Sequence, residues 1–369
     1  MLKAADIKSR AEEIGFDLCG VAPASELPEL QFLSAWLERG YAGEMSYMAR
    51  TAAKRADVRK VLPSAKTVIA LGTVYNVDRP YSTEIADRDR ARISRYAWGA
   101  DYHTVLTERT EALLAWMRES SDVSFEAKLY VDTGPVQERV YAQHAGLGWI
   151  GKNTCLINPE IGSWLFLSEI ICSLALETDQ GGVDQCGTCT LCLEACPTDA
   201  IVEPWVIDST RCLSYLTIEV KGEIPEAHRE AIGNHVYGCD ICQDVCPFNA
   251  TPAQSLDPAW QPNPALDQPR LVDLWQQPDE SLRPIVERSA MSRAGVRGLR
   301  RNMAVALGNS GSRDAAVALR SPISGGTPED PLVDAHVSWG EHRLASTRTI
   351  QTREGEKPPS RIPSEPVKE

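Results

Sequence analysis

Cys186-Gly-Thr-Cys189-Thr-Leu-Cys192-Leu-Glu-Ala-Cys196-Pro197 crowds four thiols into one short run. Downstream, Cys239-Asp-Ile-Cys242-Gln-Asp-Val-Cys246-Pro247 repeats the Cys-Pro ending, with Cys212 standing between the two runs. Of the 11 cysteines in the chain, only Cys19, Cys155 and Cys172 lie outside this region. Those three sit among apolar neighbours and read as small buried hydrophobes. Crowding of the other kind is not a core effect. In a chain without secretion signals, so many thiols hold metal or do redox work.

The spacing of the first run, C-x2-C-x2-C-x3-C-P, is that of the bacterial ferredoxins, in which the fourth cysteine ligates the other cluster of a pair. Thiolates two residues apart on a tight loop reach different irons of one cubane. The cysteine after a three-residue gap has begun a helical turn and points away. This assigns Cys186, Cys189, Cys192 and Cys246 to one [4Fe–4S] cluster, and Cys196, Cys212, Cys239 and Cys242 to a second. Paired C-x2-C also makes zinc sites, but a three-cysteine run closed by Cys-Pro suits two zinc knuckles poorly. Two clusters sharing ligands form a one-electron wire, and a wire needs an acceptor of low potential.

The rest of the composition narrows the class. The chain has 369 residues, 43% of them hydrophobic, enough for two or three domains. With 24% charged residues and a mean hydropathy of -0.26 it reads as an ordinary soluble protein. The most apolar stretch, Trp164 to Leu176, is interrupted by Glu169 and is too short to cross a bilayer. Charges in Met1-Leu-Lys-Ala-Ala-Asp6 stand where a signal peptide carries its apolar core, which points to the cytoplasm. A net charge of -13, with a pI near 5.1, argues at face value against a nucleic-acid partner.

Residues 1–178 alternate helical and strand patterns and predict an α/β layered domain. Helices are expected over Asp6–Gly15, Leu30–Arg39, His103–Ser120 and Pro135–Ala145. Strands are expected over Phe16–Val21, Thr67–Leu71 and Lys128–Val131, with Asn153–Ile157 extended. Gly146-Leu-Gly148-Trp-Ile-Gly151 matches the G-x-G-x-x-G dinucleotide fingerprint, but a helix precedes it and an extended stretch follows, the reverse of what that site needs. Such a loop can instead wrap a large planar ligand, or simply end a helix. Asp101-Tyr-His103 begins the D-x-H-x-x-G signature of base-off cobalamin proteins, and Leu106 stands where its glycine belongs. His103 alone reads as a polar or capping residue. Asp132, at the end of a strand, is either a site residue or, with Thr133, a helix cap.

Longer motifs carry a resemblance. Arg95-Tyr-Ala-Trp-Gly-Ala-Asp-Tyr-His103, Val131-Asp-Thr-Gly-Pro-Val-Gln-Glu-Arg139 and Gly148-Trp-Ile-Gly-Lys-Asn153 resemble the epoxyqueuosine reductase family. So do the eight-cysteine pattern, Cys212-Leu-Ser-Tyr-Leu-Thr-Ile-Glu-Val-Lys-Gly222 and Tyr237-Gly-Cys239 through Asn249. The similarity runs from the N-terminus to about residue 345. It implies an oxidoreductase of the last step of queuosine synthesis, which reduces epoxyqueuosine to queuosine at the wobble position of tRNA anticodons. The family carries cobalamin and two [4Fe–4S] clusters, and its cobalamin domain resembles that of reductive dehalogenases. Cobalt there has no histidine ligand, which agrees with the broken D-x-H-x-x-G. Asp132 matches the family's proposed proton donor, and a carboxyl beside an apolar corrin is expected to stay protonated near neutral pH. The resemblance also places Arg55, Tyr96, Gln137, Gly151, Lys152, Asn153, Thr154, Ile157 and Ser163 around the corrinoid, together with Asp132. An iron–sulfur electron carrier and a corrinoid dehalogenase are the alternative readings.

From Arg283 to Arg301 there are six arginines and one acid, Glu287. Arg293, Arg297, Arg300 and Arg301 follow helical spacing and are expected to form a basic face for tRNA phosphates, with Lys221 after a strand-like Leu216–Val220. Asn302–Gly308 and Pro331–Trp339 have the pattern of paired HEAT-like helices, although Gly340-Glu-His falls where an apolar face should continue. The expected division is an α/β cobalamin-binding domain over 1–178, a ferredoxin-type two-cluster module over 179–255, a HEAT-like helical tRNA-binding domain over 256–345 and a disordered tail over 346–369. The partners implied are tRNA bearing epoxyqueuosine and an external low-potential electron donor, served by a monomer that engages no membrane.

Overall fold

The computed structural model describes residues 2–321 and 330–355. A sheet organises the first half of the chain. Its strands are β1 (Leu18–Pro23), β2 (Thr67–Val74), β3 (Ala127–Tyr130) and β4 (Leu165–Cys172), in the order β1-β2-β4-β3. Helix α1 (Ala4–Ile14) precedes β1, α2 (Tyr102–Ser120) joins β2 to β3, and α3 (Glu138–His144) follows β3.

The expected alternation of strand and helix is present, yet every hydrogen-bonded strand pair in this sheet is antiparallel. The crossover through α2 does leave β2 and β3 running the same way, as a strand–helix–strand unit requires. β4 then inserts between them in the opposite sense. It arrives from the far end through a hairpin of Trp149–Ile150 and Leu156–Ile157, and no local pattern announces that.

Side chains alternate across β2. Ile69 and Leu71 join Ile7, Leu106, Leu113 and Met117 under α1 and α2, while Val68 and Ala70 join Val58, Val140 and Tyr141 under α3. Gly20 lets α3 lie on β1, because a Cβ there would come 2.0 Å from the carbonyl oxygen of Ala145.

The cysteine-rich segment joins this body through a short parallel pairing of His235–Tyr237 with Arg92–Ile93. Leu213–Ile218 forms a helix, α4, instead of the expected strand. Leu213, Tyr215 and Leu216 are buried with Ile224, Ile232 and Val305, and this burial overrides the local strand preference.

The C-terminal helices pack around α5 (Gly295–Ser310), with α6 (Pro331–Gly355) along one side. Gly340 proves to be a contact surface. A Cβ on Gly308 would come 2.6 Å from the Cα of Gly340, so the two helices cross backbone to backbone. α6 also runs past the boundary expected at residue 345, since no proline interrupts it before Pro358. The rest of the expected tail, 356–369, lies outside the described residues.

The basic face on α5 is not what spacing suggested. Arg300 and Arg301 are each 1% exposed. Arg300 donates to Asp279 and to the carbonyls of Trp275 and Gln277. Arg301 donates to the carbonyls of Leu216, Val220 and Gly222. Helical spacing tells which residues share a side but not what lies against it, and here neighbouring backbone fills that side.

Candidate active site and cysteine centre

Thiols of each set suggested by the spacing lie within electrostatic reach of one another. Burial pushes the Cys192 thiol up to about 11, and Cys246, Cys186 and Cys189 add to the shift. Burial likewise raises Cys239, with Cys212 and Cys196 as its thiol neighbours. Cys242 is raised by its hydrogen bond to Cys155 and by burial, with Cys239 and Cys212 beside it. Four thiols that oppose one another's ionisation become compatible once iron supplies positive charge. N–H groups also point at sulfur: Ala200 donates to Cys196 at 3.3 Å and the Trp149 indole to Cys186 at 3.5 Å. Such bonds tune cluster potentials.

The glycine-rich loop is stapled to these cysteines. Lys152 Nζ donates to the carbonyls of Gly187 at 2.7 Å and Cys189 at 2.9 Å, and Asn153 Nδ2 donates to that of Cys242 at 3.1 Å. Ser163 Oγ meets Gln243 at 3.0 Å and receives Asn249 Nδ2 at 2.8 Å. The glycines serve the hairpin itself, since a Cβ on Gly151 would lie 2.3 Å from Ile157 Cδ1 and one on Gly148 would lie 2.2 Å from the Ile157 carbonyl. Arg55 and Gln137 are also committed internally. Arg55 donates to the Val136 carbonyl at 2.7 Å, and Gln137 donates to those of Leu30 and Arg55 at 2.9 and 3.1 Å. Together they pin the chain that follows Asp132.

Asp132 stands just past β3 with a φ of 56°, and its side chain is 58% exposed. It caps no helix; α3 begins at Glu138 with Gln137 at the cap position. Asp132 Oδ2 accepts the Tyr102 hydroxyl at 3.1 Å and lies 3.3 Å from His103 Nε2. His103 Nδ1 is 2.7 Å from Asp101, and Asp101, not His103, caps α2. The Tyr102 ring is sandwiched between Phe166 and His103, at 4.5 and 4.0 Å. Tyr96 reaches Tyr237, two residues before Cys239, through a hydroxyl contact of 3.2 Å. Arg139 donates to the Thr154 carbonyl at 2.9 Å, next to Asn153 and its bond to Cys242. Asp132 therefore lies a few residues from the set that contains Cys239 and Cys242.

The expectation of a neutral Asp132 is corrected. Burial works against its charge, but the hydrogen bond and charge of His103, with Tyr102 and Arg139, outweigh burial and hold the carboxyl below its ordinary range. Burial alone would lower His103; hydrogen bonds and charge from Asp101 and Asp132 instead bring it up to about 9. The proton of the pair rests on His103. Sequence reading passed over this histidine as solitary, because its second acid is 29 residues away. It also passed over Glu138, whose Oε1 accepts the Asp132 backbone N–H at 2.6 Å.

A basic rim flanks the same face. Arg293 binds Glu219 at 2.7 Å and lies 5.3 Å over the Tyr47 ring. Tyr47 has Glu219, Arg293, Asp132 and Arg55 as its charged neighbours. Lys221 is exposed and donates to the carbonyls of Ile218 and Arg293. Arg297 is exposed and paired with Asp330 at 2.6 Å. Of the five cations expected to meet RNA, these three stand at the surface. Among the described residues, no helix is long and apolar enough to cross a membrane.

Residues 185–249 match the family model of the 4Fe-4S double cluster binding domain. Residues 55–133 match that of epoxyqueuosine reductase QueG, DUF1730. The epoxyqueuosine reductase of Salmonella typhimurium is 38% identical over 91% of this chain and 87% of its own. A solved epoxyqueuosine reductase bound to an epoxyqueuosine-modified tRNA-Tyr stem loop superposes with a TM-score of 0.80 at 30% identity, covering 96% of this chain and 94% of that one. Another, from Bacillus subtilis and described with its catalytic aspartate loop swung out of the active site, also gives 0.80, at 28% identity over 96% and 94% of the two chains. Similarity of this depth extends over nearly the full length of both partners, across the cysteine centre and the Asp132 face alike, and on that ground the chain belongs to the epoxyqueuosine reductases, a family of oxidoreductases.

Proposed function

We propose that this chain removes the epoxide oxygen of epoxyqueuosine in the tRNA anticodon, using cobalamin and two [4Fe–4S] clusters. The single observation that carries the reading is the position of Asp132. An exposed carboxylate, held by Tyr102 and His103, shares one corner of the molecule with the Cys239–Cys242 loop and with a basic rim. An electron carrier needs no such proton-handling pair, and a dehalogenase needs no basic rim.

The donor chemistry fits both cofactors. Each cysteine set offers four thiols, as one cubane requires. For a corrinoid, Tyr102 donates to the Asp132 carboxylate and packs edge to face with Tyr96 at 78°, with Tyr47 also near the carboxylate, so aromatic rings flank one polar group. Lys152, Asn153 and Ser163 serve there by fixing the wall that joins the face to the cysteines. Bound cobalamin supplies a low-valent cobalt able to reduce a strained C–O bond, and the clusters supply electrons singly. Removing the oxygen as water takes two electrons and two protons. Asp132 delivers a proton to the oxygen as its bond to carbon breaks, Tyr102 orients the carboxylate, and His103 holds the proton between turnovers under the control of Asp101. Lys221, Arg293 and Arg297 hold backbone phosphates.

The test is anaerobic incubation of cofactor-replete enzyme with an epoxyqueuosine stem loop and a low-potential reductant. Queuosine is the expected nucleoside. Its absence from a fully loaded sample overturns the reading.

A further inference from the structure

Glu169 interrupts the most apolar run of the sequence, and the fold puts it at an inner position of the sheet. In register it faces Ala70 of β2 on one side and Tyr130 of β3 on the other. Alternation turns its side chain to the face that carries Leu167 and Ile171, the face covered by α3. The residue is 0% exposed, and no N–H or O–H donor reaches either carboxylate oxygen. Its hydrogen-bonding neighbour is the carboxyl of Glu138, the first residue of α3. Ionised carboxylates only accept, so two carboxyl groups bond to one another only with a proton between them. Glu138 reaches outward in turn and accepts the Asp132 backbone N–H. Three acidic residues thus run from the sheet interior to the exposed acid of the site, the outer two joined through the Asp132 N–H.

We propose that Glu138 and Glu169 form a proton store that refills the Asp132–His103 pair and so delivers the second proton of each turnover. This rests on the deoxygenation proposed above. The stoichiometry makes the demand. One proton goes to the epoxide oxygen as the first C–O bond breaks, leaving a hydroxyl. A second goes to that hydroxyl as the other C–O bond breaks, and water departs from the new alkene. The two electrons come from a one-electron donor of low potential. The Asp132–His103 pair holds one transferable proton. The other passes from Glu138 to the Asp132 carboxylate, Glu169 replenishes Glu138, and solvent restores the store after product leaves.

The surrounding groups favour a retained proton. Burial, with Asp132 beside it and Arg139 opposing, pushes Glu138 up to about 7. Burial and the Glu138 carboxyl raise Glu169 far above the carboxylate range. Arg55 of the Ser46–Arg55 helix and Tyr102 of α2 are the other charged or titratable groups facing Glu138.

The test compares Glu169→Gln, Glu169→Asp and Asp132→Ala in the holoenzyme. Glu169→Gln keeps shape and neutrality, and is expected to lower kcat about tenfold or more while leaving KM for the stem loop unchanged. It should also erase the limb near pH 7 that Glu138 gives the wild-type profile, and Glu169→Asp should restore part of both. Infrared spectroscopy reads the store without turnover. A protonated-carboxyl C=O band should titrate near pH 7 in wild type, and its midpoint should shift in Glu169→Gln. Wild-type protein without that band overturns the proposal, whichever variants fold. If Asp132→Ala is inactive while Glu169→Gln keeps the wild-type rate and profile, the store alone is wrong. If Asp132→Ala turns over at full rate, the proton-donor reading fails and the store fails with it.

Discussion

The Glu138 carboxylate accepts the backbone N–H of Asp132 at 2.6 Å, and this bond holds a non-glycine residue at a φ of 56°. A left-handed conformation costs an ordinary residue about 1–2 kcal/mol. A hydrogen bond to that carboxyl is worth about 0.5–1.5 kcal/mol, comparable with this cost. Glu138→Ala should therefore release the loop and lower kcat about tenfold to a hundredfold. Glu138→Gln retains an acceptor but no proton, so it should preserve loop geometry in a crystal structure while still losing rate. Equal loop order in Glu138→Ala and wild type would show that the clamp does nothing.

His103 supplies a pH dependence of definite sign. Its folded pKa, about 9, lies above the ordinary 6.5 because Asp101 and Asp132 favour the imidazolium against the effect of burial. The stability it contributes is fully present below pH 6.5 and is lost as pH rises through 9. Asp101→Asn should bring that window down. Melting curves of wild type and Asp101→Asn should differ most at low pH and converge above pH 9. The alkaline limb of turnover should shift downward in the same variant, and an unmoved limb would remove His103 from the proton path.

The arginines of α5 divide into two kinds that alanine substitution separates. Arg301→Ala strands three carbonyls, those of Leu216, Val220 and Gly222, and should cost about 3 kcal/mol or more of stability. Arg293→Ala and Arg297→Ala remove exposed pairs and should change stability by no more than about 0.5 kcal/mol. Each should instead weaken stem-loop binding and reduce the salt slope by about 1. Affinity and slope unchanged in the Arg293/Arg297 double variant would leave those side chains as plain solvated charge.

Crossed ligation makes a specific demand on iron content. With Cys246 completing the set of Cys186, Cys189 and Cys192, Cys246→Ser should empty the cluster held by the upstream run. Cys196→Ser should empty the one held by Cys239 and Cys242. Each variant should retain about four of about eight irons. Under crossed ligation the spectrum of Cys246→Ser should match that of Cys186→Ser, and a match to Cys239→Ser instead would refute the crossed assignment.

How much of this was legible depends on the range of the interaction. Cysteine spacing is a local property of the loop, so the double-cluster segment could be read from the chain. Asp132 stands out as a strand-end residue, and only the family resemblance favours a site role over a helix cap. The acid that pairs with His103 could not be read, since only the fold closes the gap between α2 and β3. The insertion of β4 between β2 and β3 has no sequence signal, because alternation of strand and helix does not encode strand direction. Leu216–Val220 reads as a strand on propensity and is helical through α4 because its environment is a core. Glu169 reads as a mere interruption, since a pattern shows which side a residue occupies and nothing of the group opposite.

Arg297 and Arg301 sit one turn apart on the same helix, one facing solvent and the other closing the backbone between Cys212 and Cys239. Asn302, the next residue, donates to the carbonyls of Thr217 and Val236 and so joins the same stretch from both ends. α5 is thus a lever with its handle outside and its fulcrum in the metal-binding segment. A displacement of its exposed arginines would reach, through Arg301 and Asn302, the polypeptide between Cys212 and Cys239. Under the proposed function, RNA held at Arg297 and a cluster held beside Arg301 would be two loads on one helix.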